Sequence, residues 1–232
     1  MSSSHMKRLT MPRSWPLPRK TSVWVQKPDP CGHPLELCMP VGIVLRDILG
    51  VAETRREAKQ IVADSKVKVD GTTVTTIGRA VGLMDVLTVG DDHYRCILDS
   101  NGRLRYRPIS AAAAASKPCR IDAKTTVSGG RTQLNLHDGR NIIIEDPNSH
   151  STGDTVLIDV QSQAIQKHHA LESGATIYLI GGSHVGVIST LNGVIKRRSS
   201  MPNEVELDGF IAVADHVFVI GSAKDLPLEV DA

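Results

Sequence analysis

Aromatic side chains are scarce in this sequence. They make up 3% of its 232 residues, with two Trp, three Tyr and two Phe. Proteins that read single-stranded RNA stack its bases on aromatic side chains, so a chain with so few of them is poorly suited to that task. If the chain binds a nucleic acid, we expect a folded RNA that is recognised through its shape and its phosphates.

Long hydrophobic runs are also absent. No stretch of about 18 apolar residues occurs, and a helix that spans a membrane needs roughly that length. The N-terminus is basic but has no apolar core of the kind found in secretory signals. We therefore expect no membrane partner and a cytoplasmic location.

The cysteines form no CxxC pair. Cys31, His33 and Cys38 could supply three zinc ligands, but their spacing fits no zinc-site pattern well. Free thiols in a cytoplasmic protein are the preferred interpretation, and no disulfide framework is expected. We predict no metal site.

Recognisable catalytic motifs are missing as well. Neither a P-loop nor a dinucleotide-binding glycine pattern occurs. The segment Gly181-Gly182-Ser183-His184-Val185 approaches a nucleophile elbow, but Val185 stands where the second glycine is required. His168 and His169 are expected in a polar turn, with no carboxylate or cysteine nearby to complete a metal site. We predict that the chain is not an enzyme and uses no cofactor and no small-molecule substrate.

Acidic residues are absent from the first 28 positions, although the net charge of the whole chain is only +2. The same segment carries six cations, and seven prolines fall within residues 1–40. Proline at this density interrupts helices and sheets, and an arm of one charge sign is typical of segments that follow a polyanion. We predict a basic, extended N-terminal arm over residues 1–40. Trp15 and Trp24 are expected to pin it to a protein surface, with stacking on bases or Arg as the alternative.

The central part of the chain predicts two short helices and a hairpin. Thr54-Arg55-Arg56-Glu57 has the form of a capping box at the start of the second helix. Asp70-Gly71 predicts a two-residue turn between two short strands. Apolar residues at helical spacing predict the first helix and the buried side of the second, namely Ile43, Val44, Ile48 and Leu49, and then Ala58, Ile61 and Val62.

Basic side chains are placed with some order on this region. Arg55 and Lys59 are four positions apart and share one face of the second helix. The other cations are Arg46, Arg56, Lys66 and Lys68. Such a surface suits a run of phosphates. The nearby acids nearly balance these charges, however, so a solvated surface without a ligand is the open alternative.

A hairpin with an Asn101-Gly102 turn follows. Its second strand would place Arg103, Arg105 and Arg107 on one face, as a row of phosphate ligands or as a solvated strand face. With this hairpin the predicted RNA-binding module covers residues 41–105. The alanine run at residues 111–115 predicts a short helix or a linker.

The rest of the chain has the pattern of short strands. Residues 106–173 are predicted as a central β domain, with strands at residues 132–136, 141–144, 155–160 and 164–165. Residues 174–232 are predicted as a small barrel and a tail, with a hairpin at Asn192-Gly193. Lys196, Arg197 and Arg198 are candidate phosphate ligands in this barrel.

Three segments of the central region resemble the RNA-binding module named after the bacterial small-subunit ribosomal protein number four. These segments are residues 44–49, 54–59 and 67–71. Other segments, in matching order along the chain, resemble the archaeal and eukaryotic small-subunit ribosomal protein "four-e" family; they are residues 7–24, 82–86, 133–141, 181–182 and 217–221. The resemblance implies an α+β multidomain chain with an N-terminal arm, the helical module, a central β domain and a C-terminal KOW-type SH3-like barrel.

The same resemblance implies a structural component of the small ribosomal subunit that binds folded small-subunit ribosomal RNA beside neighbouring ribosomal proteins. The family has Arg-Asn after the glycine pair, where this chain has Ser183 and His184, so we expect more RNA contact from residues 196–198. The predicted RNA ligands of the arm are Lys7, Arg8, Arg13, Arg19 and Lys20. The competing hypotheses are an RNA-modifying enzyme and a free RNA-binding regulator or chaperone that use the same helical module.

Overall fold

The computed structural model describes residues 4–146, 148–199 and 201–221. The chain divides into two compact units. The first consists of the chain up to Leu98 together with Arg103–Ala115, and the second of Asp99–Gly102 together with the chain from Ser116 onward. The predicted tail beyond residue 221 lies outside the described residues. Among those described, no helix is long and apolar enough to cross a membrane.

The first unit is built mainly from short antiparallel strands. Its elements are β1 (His5–Lys7), β2 (Trp24–Gln26), β3 (Cys38–Pro40), α1 (Val41–Ile43), a π-helical turn (Val44–Ile48), α2 (Arg55–Ala63), β4 (Val67–Val69), β5 (Thr72–Thr73), β6 (Ala80–Gly82), β7 (Val86–Val89), β8 (Asp92–Leu98), β9 (Leu104–Ile109) and α3 (Ala111–Ala114). Five strands form one sheet in the order β5-β4-β7-β8-β9, and β1 pairs with β2 and β3 with β6. Helices are therefore few, and the chain is mostly β where the α+β prediction implied a larger helical share.

The N-terminal arm is folded rather than extended. β1 pairs antiparallel with β2, which places Met6 opposite Val25. The Trp15 side chain is 2% exposed, and its indole Nε1 donates to the carbonyl of Cys38 at 2.8 Å. The prediction that Trp15 pins the arm to a protein surface is confirmed. The same prediction is wrong for Trp24, which is 53% exposed and makes an edge contact with His5.

The local predictions for the module are confirmed. Thr54 and Glu57 form the reciprocal capping box at the start of α2. Asp70 and Gly71 both have positive φ, 47° and 72°, as a type I′ turn requires. The Asp70 carboxylate also accepts from the Val86 amide at 2.9 Å, which ties this turn to β7.

The first predicted helix is shorter and more irregular than its apolar spacing implied. Only Val41–Ile43 is α-helical, and the next five residues widen into a π turn. The Leu49 amide closes this turn on the Val44 carbonyl at 2.9 Å. Gly50 follows with φ 66°, a conformation that favours glycine and ends the helix.

Gly82, the last residue of β6, packs against His33 in the last part of the arm. A Cβ at Gly82 would lie 2.2 Å from the imidazole ring of His33. That ring bonds through Nε2 to Asp85 Oδ1 at 3.0 Å, and both side chains are 5% exposed. The other carboxylate oxygen of Asp85 accepts from the Gly82 amide at 2.7 Å. Glycine is required here because the imidazole occupies the space that any side chain would need.

Replacing Gly82 by alanine should therefore destabilise the protein. The new methyl group must displace His33 from Asp85, and overpacking of this kind costs about 1–3 kcal/mol. Urea unfolding would measure the loss. The matched control is Gly193→Ala, because a Cβ at Gly193 meets no heavy atom within 4 Å and its φ is not positive. Equal stability of the two variants would contradict the packing described.

The second unit contains two five-stranded antiparallel sheets. Its strands are β10 (Ser116–Thr126), β11 (Thr132–Leu136), β12 (Asn141–Ile144), β13 (Thr155–Asp159), β14 (Ile165–His169), β15 (Thr176–Leu179), β16 (Ile188–Ile195), β17 (Glu204–Leu207), β18 (Phe210–Val213) and β19 (Val217–Val219). The sheet orders are β12-β11-β10-β13-β14 and β18-β17-β16-β15-β19. Each sheet encloses its own apolar core, one around Cys119, Ile121, Leu134 and Val156, the other around Ile177, Leu191, Val205 and Val217.

The prediction of a hairpin turn at Asn192-Gly193 is wrong. Both residues lie inside β16, and neither has the positive φ that such a turn requires. Asn192 is instead the extra residue of a β-bulge, since Leu191 pairs with Leu207 and Gly193 with Glu206. The strand pairs with β15 before the bulge and with β17 after it, so the Asn-Gly pair marks a change of partner strand. A strand at residues 210–213, β18, was not predicted.

The prediction of a polar turn at His168-His169 is also wrong. Both residues lie on β14. His168 Nε2 is 2.8 Å from Asp154 Oδ2, so a carboxylate is nearby after all. The Asp154 carboxylate also accepts from the amides of Ser151 and Leu171, which makes it a local anchor of the chain around β13.

Candidate nucleic-acid interface

The structure brings four of the predicted RNA ligands together in the first unit. Arg13, Arg19 and Lys20 of the arm line a shallow hollow of about 530 Å³ with Arg103, the residue before β9. Trp15, Leu17, Pro18 and Thr21 complete its walls, and none of the described residues that line it is acidic. We call this the basic hollow. Four cations around one concavity attract an anion with several charged oxygens, such as a phosphate of an RNA backbone.

Arg8 holds the loop that carries Arg19 and Lys20. It was predicted to bind RNA from an extended arm, but its side chain lies inside the folded arm and is 8% exposed. The guanidinium donates to the Pro18 carbonyl at 2.6 Å and to the Ser22 hydroxyl at 3.2 Å. The Arg8 guanidinium is therefore engaged within the protein. Its hydrogen bonds hold the loop between Pro18 and Ser22, which forms one wall of the basic hollow.

Arg19 is only partly engaged by the protein. One terminal nitrogen, Nη1, donates to the Leu9 carbonyl at 3.0 Å. The other, Nη2, is buried and has no acceptor among the described residues. A buried nitrogen without a partner is costly, so an oxygen from a ligand in the hollow would remove an existing penalty.

A second group of cations lies on α2 and the neighbouring strand. Arg55, Arg56 and Lys59 are exposed on the helix, and Lys68 is exposed between the buried Val67 and Val69 of β4. Within the parts of the chain that the structure describes, these four side chains form no ion pair, and neither do Lys7, Arg13 and Lys20. Unpaired cations lose no internal partner when they bind a phosphate.

Several other predicted ligands are already bound to acids. Arg46 Nη2 is 2.7 Å from Asp47 Oδ2, and Arg197 Nη2 is 2.6 Å from Glu204 Oε2. Lys66 Nζ stands 3.9 Å from Asp64 at an exposed position, which is a weak contact. Arg46 and Arg197 would have to exchange a carboxylate for a phosphate, so they are weaker candidates than the unpaired cations.

The predicted alternation of the hairpin strand is confirmed. Leu104 and Tyr106 are buried on β9, while Arg103 and Arg105 are exposed and Arg107 is half-buried. Only Arg103 of these three lines the basic hollow. Lys196, Arg197 and Arg198 are exposed and belong to the second unit, after the end of β16.

One group of side chains in the second unit has the composition of a metal site. Ligand atoms of Cys119, His137 and Asp138 lie within 4.8 Å of one another in the described chain. Lys117 Nζ, however, is 2.8 Å from Asp138 Oδ2, and both side chains are almost fully buried, at 1% and 2% exposure. A metal cation there would meet the ammonium group, so the residues present form a buried ion pair and do not fit a metal.

Sequence reasoning identified the cations of the basic hollow but missed what assembles them. The positions of Arg13, Arg19 and Lys20 depend on internal hydrogen bonds of the arm. These bonds use Arg8, which the sequence could not distinguish from its exposed neighbours. The signal that could have helped was Trp15, because a large apolar side chain in a basic, proline-rich segment indicates an anchored segment.

Comparison with known families accounts for most of the chain. The RS4NT (NUC023) domain model matches residues 2–36, the S4 domain model residues 43–87 and the model described as ribosomal family S4e residues 90–165. The S4 domain match covers α2 and the Asp70-Gly71 hairpin, and the RS4NT match covers the arm residues of the basic hollow.

Full-length relatives and a solved structure agree with these matches. The chain is 39% identical to the small ribosomal subunit protein eS4 of Methanocaldococcus jannaschii, over 96% of each chain. It is 37% identical to that of Halobacterium salinarum, over 94% of this chain and 95% of the other. The crystal structure of the 30S ribosomal protein S4e from Thermoplasma acidophilum superposes with a TM-score of 0.73 at 33% identity, covering 81% of this chain and 97% of that one. With similarity of this extent along nearly its whole length, the chain belongs to the ribosomal S4e family.

Proposed function

We propose that the chain holds folded small-subunit ribosomal RNA mainly through phosphate contacts. As a member of the S4e family it is a structural constituent of the small ribosomal subunit, in the cytoplasm. The observation that carries the RNA proposal is the basic hollow, which gathers Arg13, Arg19, Lys20 and Arg103 around one concavity. Phosphate contacts fix position and carry little base specificity, which suits a protein whose task is to hold one folded RNA.

The exposed cations of the module extend this contact. Arg55 and Lys59 occupy one face of α2, and Lys68 stands on the adjacent hairpin. A rigid helix presenting two cations one turn apart can span neighbouring phosphates of an RNA backbone. The match to the S4 domain supports RNA binding by this region.

The proposal also assigns four regions to the chain. Residues 1–40 form the arm, 41–105 the RNA-binding module, 106–173 a central β domain and 174–232 a KOW-type SH3-like barrel and tail. The five strands β15–β19 around one apolar core support the last of these assignments for the residues described. Neighbouring ribosomal proteins are the expected protein partners, and the names of the relatives support a structural role without catalysis.

Crosslinking within assembled subunits would test the RNA proposal. Small subunits that contain this chain would be irradiated, digested with protease and nuclease, and analysed for peptides that carry nucleotides. We expect crosslinked peptides from residues 13–20 and 55–68. Crosslinks confined to the second unit would contradict the proposed interface while leaving membership of the subunit intact.

A further inference from the structure

Two thiols face each other in the first unit, at the junction between the arm and the module. Cys31 Sγ and Cys38 Sγ are 3.9 Å apart. Cys38 opens β3, which is paired with β6, whereas Cys31 lies in the irregular segment before the short turn at Leu35–Leu37. One sulfur is therefore held by a sheet, and the other belongs to a segment that no sheet restrains.

The two thiols differ in access to solvent. Cys31 is exposed, while Cys38 is buried, as are Cys96 and Cys119. An exposed thiol beside a buried one is the arrangement found where one cysteine reacts with an oxidant and a second resolves the product. Cys31 is thus the cysteine that an oxidant can reach among the four.

The surroundings of Cys31 favour its thiolate. A hydrogen bond from the Cys38 thiol is the largest cause that lowers the pKa of Cys31, to about 6; burial raises it, and the His33 backbone and imidazole lower it further. The negative charge of Asp85, which holds His33, raises the pKa of Cys31. The pKa of Cys38 is raised by the same hydrogen bond and by burial, so this thiol keeps its proton. The thiolate is the form of cysteine that attacks oxidants.

We propose that Cys31 and Cys38 form a peroxide-reactive thiol pair, in which a hydroperoxide oxidises Cys31 and Cys38 resolves the product as an intramolecular disulfide. The Cys31 thiolate attacks a peroxide oxygen, the O–O bond breaks, and a sulfenic acid and hydroxide form. Cys38 then attacks the Cys31 sulfur, its proton leaves with the hydroxyl group as water, and the S–S bond forms. The hydroxide takes up the proton that the Cys31 thiol released on ionisation. In total, two thiols lose two electrons and one molecule of hydrogen peroxide becomes two waters.

The disulfide would close the short loop that carries His33. It would link the irregular segment that contains Cys31 to β3, both in the last part of the arm and next to the His33–Asp85 contact. Oxidation would therefore restrict the end of the arm where it meets the module, and reduction by cellular thiols would reverse it.

The test uses the full-length protein and hydrogen peroxide. Intact-mass spectrometry should show the loss of two hydrogen atoms, and peptide mapping should place the bond between Cys31 and Cys38. At pH 6 about half of Cys31 would be thiolate, against about 0.3% of a thiol with a pKa of about 8.5. After allowing for the weaker nucleophilicity of a low-pKa thiol, Cys31 should react about tenfold faster than glutathione at this pH.

Two variants identify the roles of the two sulfurs. Cys38→Ser should accumulate a sulfenic acid that dimedone traps at residue 31, and Cys31→Ser, at an exposed position, should fold normally and form no internal disulfide. Reaction of Cys31 at the rate of glutathione at pH 6, or disulfides only between molecules, would overturn the proposal. So would stoichiometric zinc that is retained by the wild type and lost in Cys31→Ser, because a metal would then occupy the thiols.

Discussion

Replacing Arg13 and Lys20 by glutamine should weaken binding of the chain to folded small-subunit ribosomal RNA by at least about tenfold at low salt. A hydrogen bond to a charged group is worth about 1.5–3 kcal/mol, and about 1.4 kcal/mol corresponds to a factor of ten in affinity. The slope of log K against log salt should also fall by about two, about one for each phosphate contact that is lost. Both side chains line the basic hollow and are exposed, so the variant should keep its fold.

The matched control removes the same two charge types elsewhere. Arg131 precedes β11 and Lys167 lies on β14, and both are exposed in the second unit. Replacing them by glutamine changes the net charge equally but leaves the basic hollow intact. Filter binding to a transcript of the small-subunit RNA over a series of salt concentrations would compare the two. If both variants lose the same affinity and slope, binding depends on net charge alone and the hollow has no special role.

The cations on α2 allow a second, independent test in the same experiment. Arg55 and Lys59 should behave like Arg13 and Lys20 when replaced by glutamine, since they too are exposed and form no ion pair with any described residue. Combining both pairs should lower the salt slope further, because each phosphate contact that is lost lowers it by about one. An unchanged slope for the Arg55 and Lys59 variant would remove α2 from the RNA contact.

Replacing Lys117 by methionine should cost about 3 kcal/mol of the free energy of unfolding. Its ammonium group pairs with the Asp138 carboxylate at 2.8 Å, and the two side chains are 1% and 2% exposed. Removing one member of a buried pair leaves an uncompensated charge, at a cost of about 3–5 kcal/mol. We expect the lower end, because Arg140 Nε remains 3.2 Å from the same carboxylate oxygen.

A second substitution separates charge from packing. Asp138→Asn in the Lys117→Met background removes the stranded charge and keeps an oxygen that can accept from the Arg140 amide, as Asp138 Oδ1 does at 3.1 Å. Urea unfolding of the wild type, both single variants and the double variant forms a complete cycle. The double variant should be more stable than Lys117→Met alone. Further destabilisation by the second substitution would show that the loss comes from packing and not from the unpaired carboxylate.

The same ion pair predicts a dependence of stability on acid. Burial alone would raise the pKa of Asp138, but Lys117, His137 and the Arg140 amide outweigh it and lower that pKa below its ordinary value. The Asp138 carboxylate therefore contributes fully to the free energy of unfolding above about pH 4, the pKa of an aspartate in the unfolded chain. This contribution is lost as the pH falls through the lower pKa that Asp138 has in the folded protein. Urea unfolding of Asp138→Asn should accordingly change less between about pH 4 and pH 2 than that of the wild type. If the free energies of unfolding of the two proteins changed equally with pH, the pairing of Asp138 with Lys117 would be contradicted.

Local sequence chemistry predicted the elements whose signals are satisfied by their nearest neighbours. The capping box at Thr54 and Glu57 and the Asp70-Gly71 turn depend on contacts within a few residues, and both formed as predicted. Asn192-Gly193 carries an equally strong local signal and failed. There, the pairing of β16 with two different strands decides the backbone conformation, and those strands are distant in sequence.

In the candidate site, too, the sequence predicts what depends on local chemistry and not what depends on distant parts of the fold. That Arg13, Arg19 and Lys20 are RNA ligands could be proposed from charge alone, but their meeting with Arg103 depends on a fold that brings residues 13–21 beside the start of β9. Arg8 has the same charge as these residues and a different place, since hydrogen bonds to Pro18 and Ser22 draw it inside. Composition cannot reveal which cation of a basic segment becomes internal.

Sedimentation of a lysate from cells that produce this chain tests the central claim most directly. The lysate would be separated on a sucrose gradient at low and at high salt, and the chain followed with an antibody. We predict that it migrates with small ribosomal subunits at low salt and is released by high salt together with other proteins held through phosphates. Its confinement to the top of the gradient at low salt would contradict the account.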